Sequence, residues 1–400
     1  MLGWPGCARP SSTTARARTA DPGAPANVTS QSTPPGQSLR TVQVLGGGSA
    51  GSSGHVRSLT AGLVARGVRV TVCAPRELGH AYDFAGAGAL HVPVPRGGDP
   101  ASLAALRGVC ADADLVHAHG LHAALRASLA LGARPVPLVV TWHTRAHAEG
   151  ARAHLLRLTE RRVSRAATVL LATTADLVDR ARRRGARDAR LAPVALPPPT
   201  PSGAGTVPRD HKVRAELGAV DRPLIMAAGS LVRHRGYGVL LDAARHWRPL
   251  DPAPLLVVAG EGPLRRELQS RIDAEDLPVL LAGGREDLPD LLAAADVAVL
   301  PSRWEARSPL AQQALSRGVP LVATAVGGTP ELVGEAAELV PYGDPGALAA
   351  RVGALLADPA RRAELSRLGP ERAATWPTED ATVAQVLSVY DELTRSLSSL

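Results

Sequence analysis

Leu300-Pro-Ser-Arg-Trp-Glu305-Ala-Arg-Ser308-Pro-Leu-Ala-Gln-Gln313-Ala-Leu-Ser-Arg-Gly318-Val-Pro320 reads as the end of a strand, a loop and a capped helix. Ser308 suits the N-cap, because its hydroxyl can accept from a backbone N–H of the first turn. Pro309 then falls at the first helical position, where a missing N–H costs nothing, and Gly318 closes the helix. Residues 297–300 before it and 321–324 after it are apolar runs of strand length. Strand, helix, strand in one direction is a βαβ unit, whose loops gather at the C-terminal sheet edge, where ligands bind.

The alternation extends both ways. Downstream of residue 210, residues 223–228, 254–259, 278–282 and 338–340 also read as strands. Upstream, so do residues 41–45, 68–72, 114–117, 136–142, 167–172 and 191–196. Between 41–45 and 68–72, Val56, Leu59 and Leu63 recur at helical spacing and Gly67 suits a helix end. The fold class is therefore α/β, with two doubly wound parallel sheets. A Pro/Gly/Ser run at residues 197–210 separates a first domain, 39–196, from a second, 211–376. Residues 377–400 carry Val383, Val386, Leu387, Tyr390 and Leu393 on one helical face. Residues 1–38 lack apolar periodicity and the apolar centre of a secretory signal, and are read as a disordered tail.

Composition excludes several classes. Hydrophobic residues make up 45% of the 400, enough for two cores. No run of 18 apolar residues occurs, so no membrane span is expected. Cys7, Cys73 and Cys110 lack metal-like spacing, which fits a reducing cytoplasm and predicts no metal site. The net charge of +8 comes with one lysine, Lys212, and only 2% aromatics. Nucleic-acid readers interleave cations with stacking rings, so no nucleic-acid partner is expected. Residues 145–190 are dense in Arg and read as a solvated helical surface. A sharper reading of residues 145–165 is peripheral contact with an acidic inner membrane face.

Glycine turns mark the candidate site. Gly46-Gly-Gly-Ser-Ala-Gly51-Ser-Ser-Gly54 follows the first strand and opens a helix. Gly229-Ser-Leu-Val-Arg-His-Arg-Gly236, Gly260-Glu-Gly-Pro263 and Gly283-Gly284 follow three strands of the second half, with Pro263 placed near a helix start. Val326-Gly-Gly-Thr-Pro-Glu331 repeats the design. Glycine lets backbone approach a ligand, and helix N-termini favour anions. A basic side chain such as Arg235 beside them would suit a diphosphate. A nicotinamide dinucleotide is a rival ligand. Against it, the second strand runs into Cys73-Ala-Pro75 with no acid for a ribose.

In order and spacing these motifs resemble the retaining nucleotide-sugar glycosyltransferases of family 4, which have the GT-B fold. The resemblance spans residues 39–400 and includes His117-Ala-His119-Gly120 and Val139-Val-Thr-Trp-His143. It implies a hexosyltransferase with no cofactor beyond its donor, a UDP- or GDP-type sugar, and an unidentified hydroxyl acceptor. It also implies that the last helix crosses back onto the first domain. By the same resemblance, Glu305 would hold the transferred sugar and Gln313 the ribose. Arg235 would neutralise the departing diphosphate, with backbone near Ser308 and Leu310. Gly51, Gly229, Ser230, Gly260, Glu261 and Gly284 would line the donor site, and His119 would sit near the reacting carbon. His119 could equally be a hydrogen-bonded structural residue, and His143 reads as structural. Glu261 and Glu331 read as helix-start acids rather than catalysts.

Three positions depart from the family. Ser230 stands where Arg is common, Gln313 where a second Glu is common, and Pro309 removes an N–H near the phosphates. Replacing a charged by a neutral hydrogen bond loses about 1 kcal/mol. The departures raise an alternative, a catalytically weakened pseudoenzyme or partner subunit that binds nucleotide sugar.

Overall fold

The computed structural model describes residues 38–46, 50–97, 99–146, 150–195 and 209–398. The expected tail, the middle of the first glycine loop, most of the 197–210 linker and Cys7 lie outside these residues. Seven parallel strands form the first sheet: β1 (Arg40–Leu45), β2 (Arg69–Ala74), β3 (Leu90–Pro93), β4 (Leu115–His119), β5 (Leu138–Trp142), β6 (Val169–Ala172) and β7 (Ala189–Leu191). Their order is β3-β2-β1-β4-β5-β6-β7. Six form the second: β8 (Leu224–Ala228), β9 (Leu255–Ala259), β10 (Val279–Gly283), β11 (Val297–Leu300), β12 (Leu321–Thr324) and β13 (Glu338–Val340), in order β10-β9-β8-β11-β12-β13. Both reverse direction beside their first strand, which opens a crevice at the strand C-termini.

Each sheet is buried on both faces, as parallel sheets are. In the first, Val42, Val44 and Leu170 pack on one side, and Leu59, Leu63 and Leu171 on the other. In the second, Ile225 and Val258 face one helical layer while Met226 and Val257 face its opposite. The expected strand at 191–196 ends at Leu191, two residues before Pro193, which has no N–H for a ladder. Strand β3 was not expected. It is a short edge strand whose Leu90 is exposed, so its pattern carries no apolar alternation. Pro263 is not in a first helical turn. The helix runs Arg265–Glu275, because Gly262 first closes against the backbone of Leu231.

The Arg-dense stretch is only partly a solvated surface. Glu160, 2% exposed, accepts from Arg180 at 2.7 Å and from Arg184 at 2.8 Å. A buried carboxylate needs such partners, so these arginines belong to the packing of the first domain.

The helix Glu379–Ser398 returns to the first domain. Val383, Val386 and Tyr390 join the cluster of Val56, Leu59 and Leu63. At its centre, Gln43 Nε2 donates to the Tyr390 hydroxyl at 3.0 Å, and that hydroxyl lies 2.7 Å from His117 Nδ1. Arg190 adds a peripheral tie to Glu392 at 2.7 Å. Burial pushes the Tyr390 hydroxyl well above its ordinary range, so it serves as a neutral donor and acceptor. Tyr390→Phe leaves Gln43 and His117 each short of a buried partner. The expected cost is about 1–3 kcal/mol. Urea unfolding should show a lower midpoint with an unchanged slope, because the same surface is exposed.

Candidate functional site

A cleft of about 680 Å³ opens between the C-terminal edges of the two sheets. Gly51, His143, Thr144 and Arg145 line it from the first domain. Ser230, Arg235, Glu305, Arg307 and Gln312 line it from the second. Of the residues chosen from sequence, it thus gathers Gly51, Ser230, Arg235 and Glu305.

Glu305 is 7% exposed, and its surroundings fix it on every side. Ser302 Oγ donates to Oε1 at 2.7 Å, and Arg235 Nη1 pairs with the same oxygen. Arg235 follows β8 on a short turn that ends at Gly236 with φ +73°. A Cβ at Gly236 would stand 2.0 Å from the Pro301 carbonyl, so only glycine lets the two loops meet. Arg235 Nε, close to Gly229, is buried without a hydrogen-bond partner.

The Gly327-Gly328 pair does a different job from the one expected. Rather than facing a phosphate, it packs behind Glu305. A Cβ on Gly327 would lie 2.1 Å from the Glu305 carbonyl, and one on Gly328 2.3 Å from Thr174 of the first domain. Gly328 N–H donates to the Glu305 carbonyl at 2.9 Å. Glu331 is a helix-start acid for another helix, accepting from Ala175 N at 3.0 Å across the domain boundary. Trp304 Nε1 donates to Asp176 at 2.9 Å over the same boundary.

The remaining chosen residues lie around the cleft rather than on its lining. Gly229 and Gly260 sit at neighbouring strand ends, joined to the next strands by N–H bonds of 2.9 and 2.7 Å, with Gly284 just past β10. Glu261 pairs with Arg265 at 3.2 Å, the behaviour of a helix-start acid. Ser308 caps the helix Pro309–Ser316 through Ala311 N, and the Leu310 side chain is in the core. Gln313 Oε1 is buried without a hydrogen-bond partner, whereas its neighbour Gln312 reaches the cleft.

The histidines form a chain. His117 and His119 share a face of β4, with ring centroids 4.2 Å apart. His119 Nε2 meets Gln43 Oε1 at 2.9 Å, so it carries the proton and donates. Its Nδ1 then accepts from His143 Nε2 at 3.2 Å. His117 lies between two hydroxyls, each able to donate or accept, with Tyr390 2.7 Å from Nδ1 and Thr141 Oγ1 2.6 Å from Nε2. His119 is therefore tied at both nitrogens and 5% exposed, and it is His143, one residue past the end of β5, that reaches the cleft. Burial holds His55 down at about 4 and His117 at about 3, and His119 and His143 well below the usual imidazole range. All four are neutral at pH 7.

His55, His119 and His143 bring one nitrogen each within 4.8 Å of one another, a set that could hold a metal ion. They come from a helix and two strand ends, so no sequence spacing announces them. His119 and His143 are already hydrogen-bonded to each other, Nδ1 to Nε2 at 3.2 Å. Among the described residues no helix is long and apolar enough to cross a membrane.

Residues 222–358 match the profile of the glycosyl transferases group 1, and residues 50–197 that of the glycosyl transferase 4-like domain. The chain is 33% identical over 309 residues to the D-inositol 3-phosphate glycosyltransferase of Xylanimonas cellulosilytica, covering 70% of this chain and 72% of that protein. It is 33% identical over 193 residues to the GDP-mannose-dependent alpha-(1-6)-phosphatidylinositol monomannoside mannosyltransferase of Mycolicibacterium smegmatis. That match spans 44% of this chain and half the length of the relative. In fold it is similar to Anabaena HepE in complex with UDP and glucose, at a TM-score of 0.73 and 18% identity over 91% of this chain and all of that one. Two parallel sheets facing across a cleft, both family profiles and a relative matched over most of its length agree: the chain belongs to the group 1 glycosyl transferases, as a two-domain GT-B glycosyltransferase that draws on nucleotide-sugar donors.

Proposed function

We propose that this protein moves a hexose from a UDP- or GDP-type sugar to a hydroxyl acceptor with retention at the sugar carbon. The observation that carries the proposal is the meeting of Arg235 and Glu305 in the cleft, opposite Gly51. In this reading Glu305 binds the sugar hydroxyls and Arg235, on the cleft lining, neutralises the diphosphate. Gln313 Oε1 accepts from a ribose hydroxyl, and backbone at Gly229, Gly260, Gly284 and the Ser308–Leu310 helix start surrounds the nucleotide. The bond between the sugar carbon and the phosphate oxygen breaks, and the acceptor oxygen bonds to that carbon. The acceptor proton passes to the departing phosphate oxygen, leaving a nucleoside diphosphate and a glycoside. Leaving-group stabilisation dominates such a step. His119 acts as a positioning residue, since it aims His143 and does not line the cleft. The comparisons do not favour the pseudoenzyme alternative.

Incubating the purified chain with a panel of UDP-, GDP- and ADP-sugars should show saturable nucleotide binding and slow donor hydrolysis. Absence of binding to every nucleotide would overturn the proposal. Arg235→Met should lower the hydrolysis rate about 100-fold, the scale of one lost charge-stabilising donor. Gln313→Glu should tighten nucleotide binding roughly fivefold, about 1 kcal/mol, by restoring a charged hydrogen bond.

Peripheral membrane contact at a cytoplasmic face is part of the same proposal. On the helix Ala151–Ala166, Leu155 is 65% and Leu158 48% exposed, beside Arg152, Arg161 and Arg162. Apolar side chains flanked by cations suit an anionic lipid surface. The buried thiols Cys73 and Cys110 are free, as a reducing compartment would keep them. Leu155→Glu with Leu158→Glu should abolish co-sedimentation with anionic vesicles and leave donor hydrolysis unchanged. Equal sedimentation of variant and parent would refute the contact.

A further inference from the structure

Three histidines meet on the first-domain side of the cleft. His55 comes from the helix Ala50–Val64, His119 ends β4 and His143 follows β5. Their ring centroids stand 5.9 Å apart for His55 and His119, 5.3 Å for His55 and His143, and 5.5 Å for His119 and His143. Imidazoles that converge on one tetrahedral ion, each nitrogen at about 2 Å, have centroids about 5 Å apart and ligand nitrogens about 3.3 Å apart. His119 Nδ1 and His143 Nε2 lie 3.2 Å apart, and the three rings offer nitrogens within 4.8 Å of one another. Side-chain movement of at most about 1.5 Å would complete a three-ligand set. The cysteine spacing that predicts no metal site does not bear on histidines brought together by the fold.

Two further observations point to a ligand. His55 is 5% exposed, and among the described residues neither of its ring nitrogens has a hydrogen-bond partner. A polar group this buried costs free energy until something pairs with it. His119 Nε2 donates to Gln43 Oε1 at 2.9 Å, and Gln43 donates onward to Tyr390 at 3.0 Å. That bond leaves His119 Nδ1 as a lone pair and fixes the ring, as the outer partners of metal-binding histidines do. Burial keeps all three imidazoles neutral at pH 7, the form that ligates. When an ion enters, the His143 proton moves from Nε2 to Nδ1, which frees Nε2 without net proton release.

The surroundings select the kind of ion. The set contains no carboxylate, and Arg145 and Arg235 line the same cleft as His143 and Glu305. Glu305 is already paired with Arg235, so the local field does not attract a dication. Binding must come from the metal–imidazole bonds themselves. These suit Zn²⁺, Ni²⁺ and Cu²⁺, whereas Mg²⁺ and Ca²⁺ require oxygen ligands.

We propose that His55, His119 and His143 form a binding site for one zinc- or nickel-type ion, with its fourth position open to the cleft beside His143. The proposal stands independently of the donor reading. The full chain, treated with EDTA and then freed of it, is titrated with Co²⁺ without nucleotide, because a diphosphate would chelate the ion. The expected result is one Co²⁺ per chain with the intense visible absorption of a four-coordinate ion, displaced by Zn²⁺ and not by Mg²⁺. His143→Ala should weaken binding at least about 100-fold, since losing a ligand exceeds losing an outer partner. His55→Gln should repeat the loss from the buried side. His143 stands at the cleft, so its variant decides the matter if the buried one fails to fold, and an unchanged melting midpoint without metal certifies it. The chain has 12 histidines, so the ion could bind elsewhere. Co²⁺ that stays six-coordinate, binding that His143→Ala leaves intact, or no binding at all would overturn the proposal.

Discussion

A carboxylate this buried cannot stand alone, and the seat of Glu305 organises the second domain around that fact. The pairing with Arg235 and Ser302 requires two strand-end loops to touch, and they touch only because Gly236 has no side chain to strike Pro301. The Glu305 backbone in turn needs a third loop behind it, and Gly327-Gly328 supplies one. Each contact comes from a different strand of the second sheet. Trp304 and Ala306, on either side of Glu305, are packed into the first-domain core. The residue that faces the proposed sugar is therefore also the one whose neighbours weld the two domains together at this edge.

The first domain has its own polar spine. Central strands of a parallel sheet normally carry apolar side chains on both faces, yet β1 and β4 contribute Gln43, His117 and His119. Their polarity is satisfied only with the last helix in place, because Tyr390 closes the set. The directions at His119 are set by the Gln43 carbonyl oxygen, since a neutral imidazole has one donor and one acceptor. They run from His143 through His119 and Gln43 to Tyr390, and His117 bridges the Tyr390 and Thr141 hydroxyls. A side chain of the cleft is thus oriented by a helix nearly 250 residues further along the chain, 390 against 143.

What was legible in the sequence follows from which interactions are local. The capped helix at Ser308–Gly318, the apolar runs of the inner strands and the helical stripe ending in Tyr390 and Leu393 are local patterns, and each formed as read. Strand β3 was illegible because an edge strand with exposed Leu90 has no alternation to read. Glu160 drew no notice among its arginines, since burial and not composition turns them into a clamp. Gly327-Gly328 looked like an anion loop because close approach to a ligand and close approach to backbone demand the same residue. That His143 and not His119 lines the cleft turns on a strand ending at Trp142, a boundary one residue wide.

The departure at Ser230 is better understood together with Arg235 than apart from it. Where a phosphate cation is common in the family, this chain has Ser230, so Arg235 faces two anions, Glu305 and the proposed diphosphate. An ammonium is one compact charge on a flexible stem and would have to leave one partner for the other. A guanidinium offers five N–H donors in a fixed plane. Arg235 gives Nη1 to Glu305 and still lines the cleft, so the rest of its fork can turn to the proposed phosphate while Glu305 stays paired. Loss of the neighbouring cation therefore makes arginine, and not lysine, the residue the geometry requires at this position.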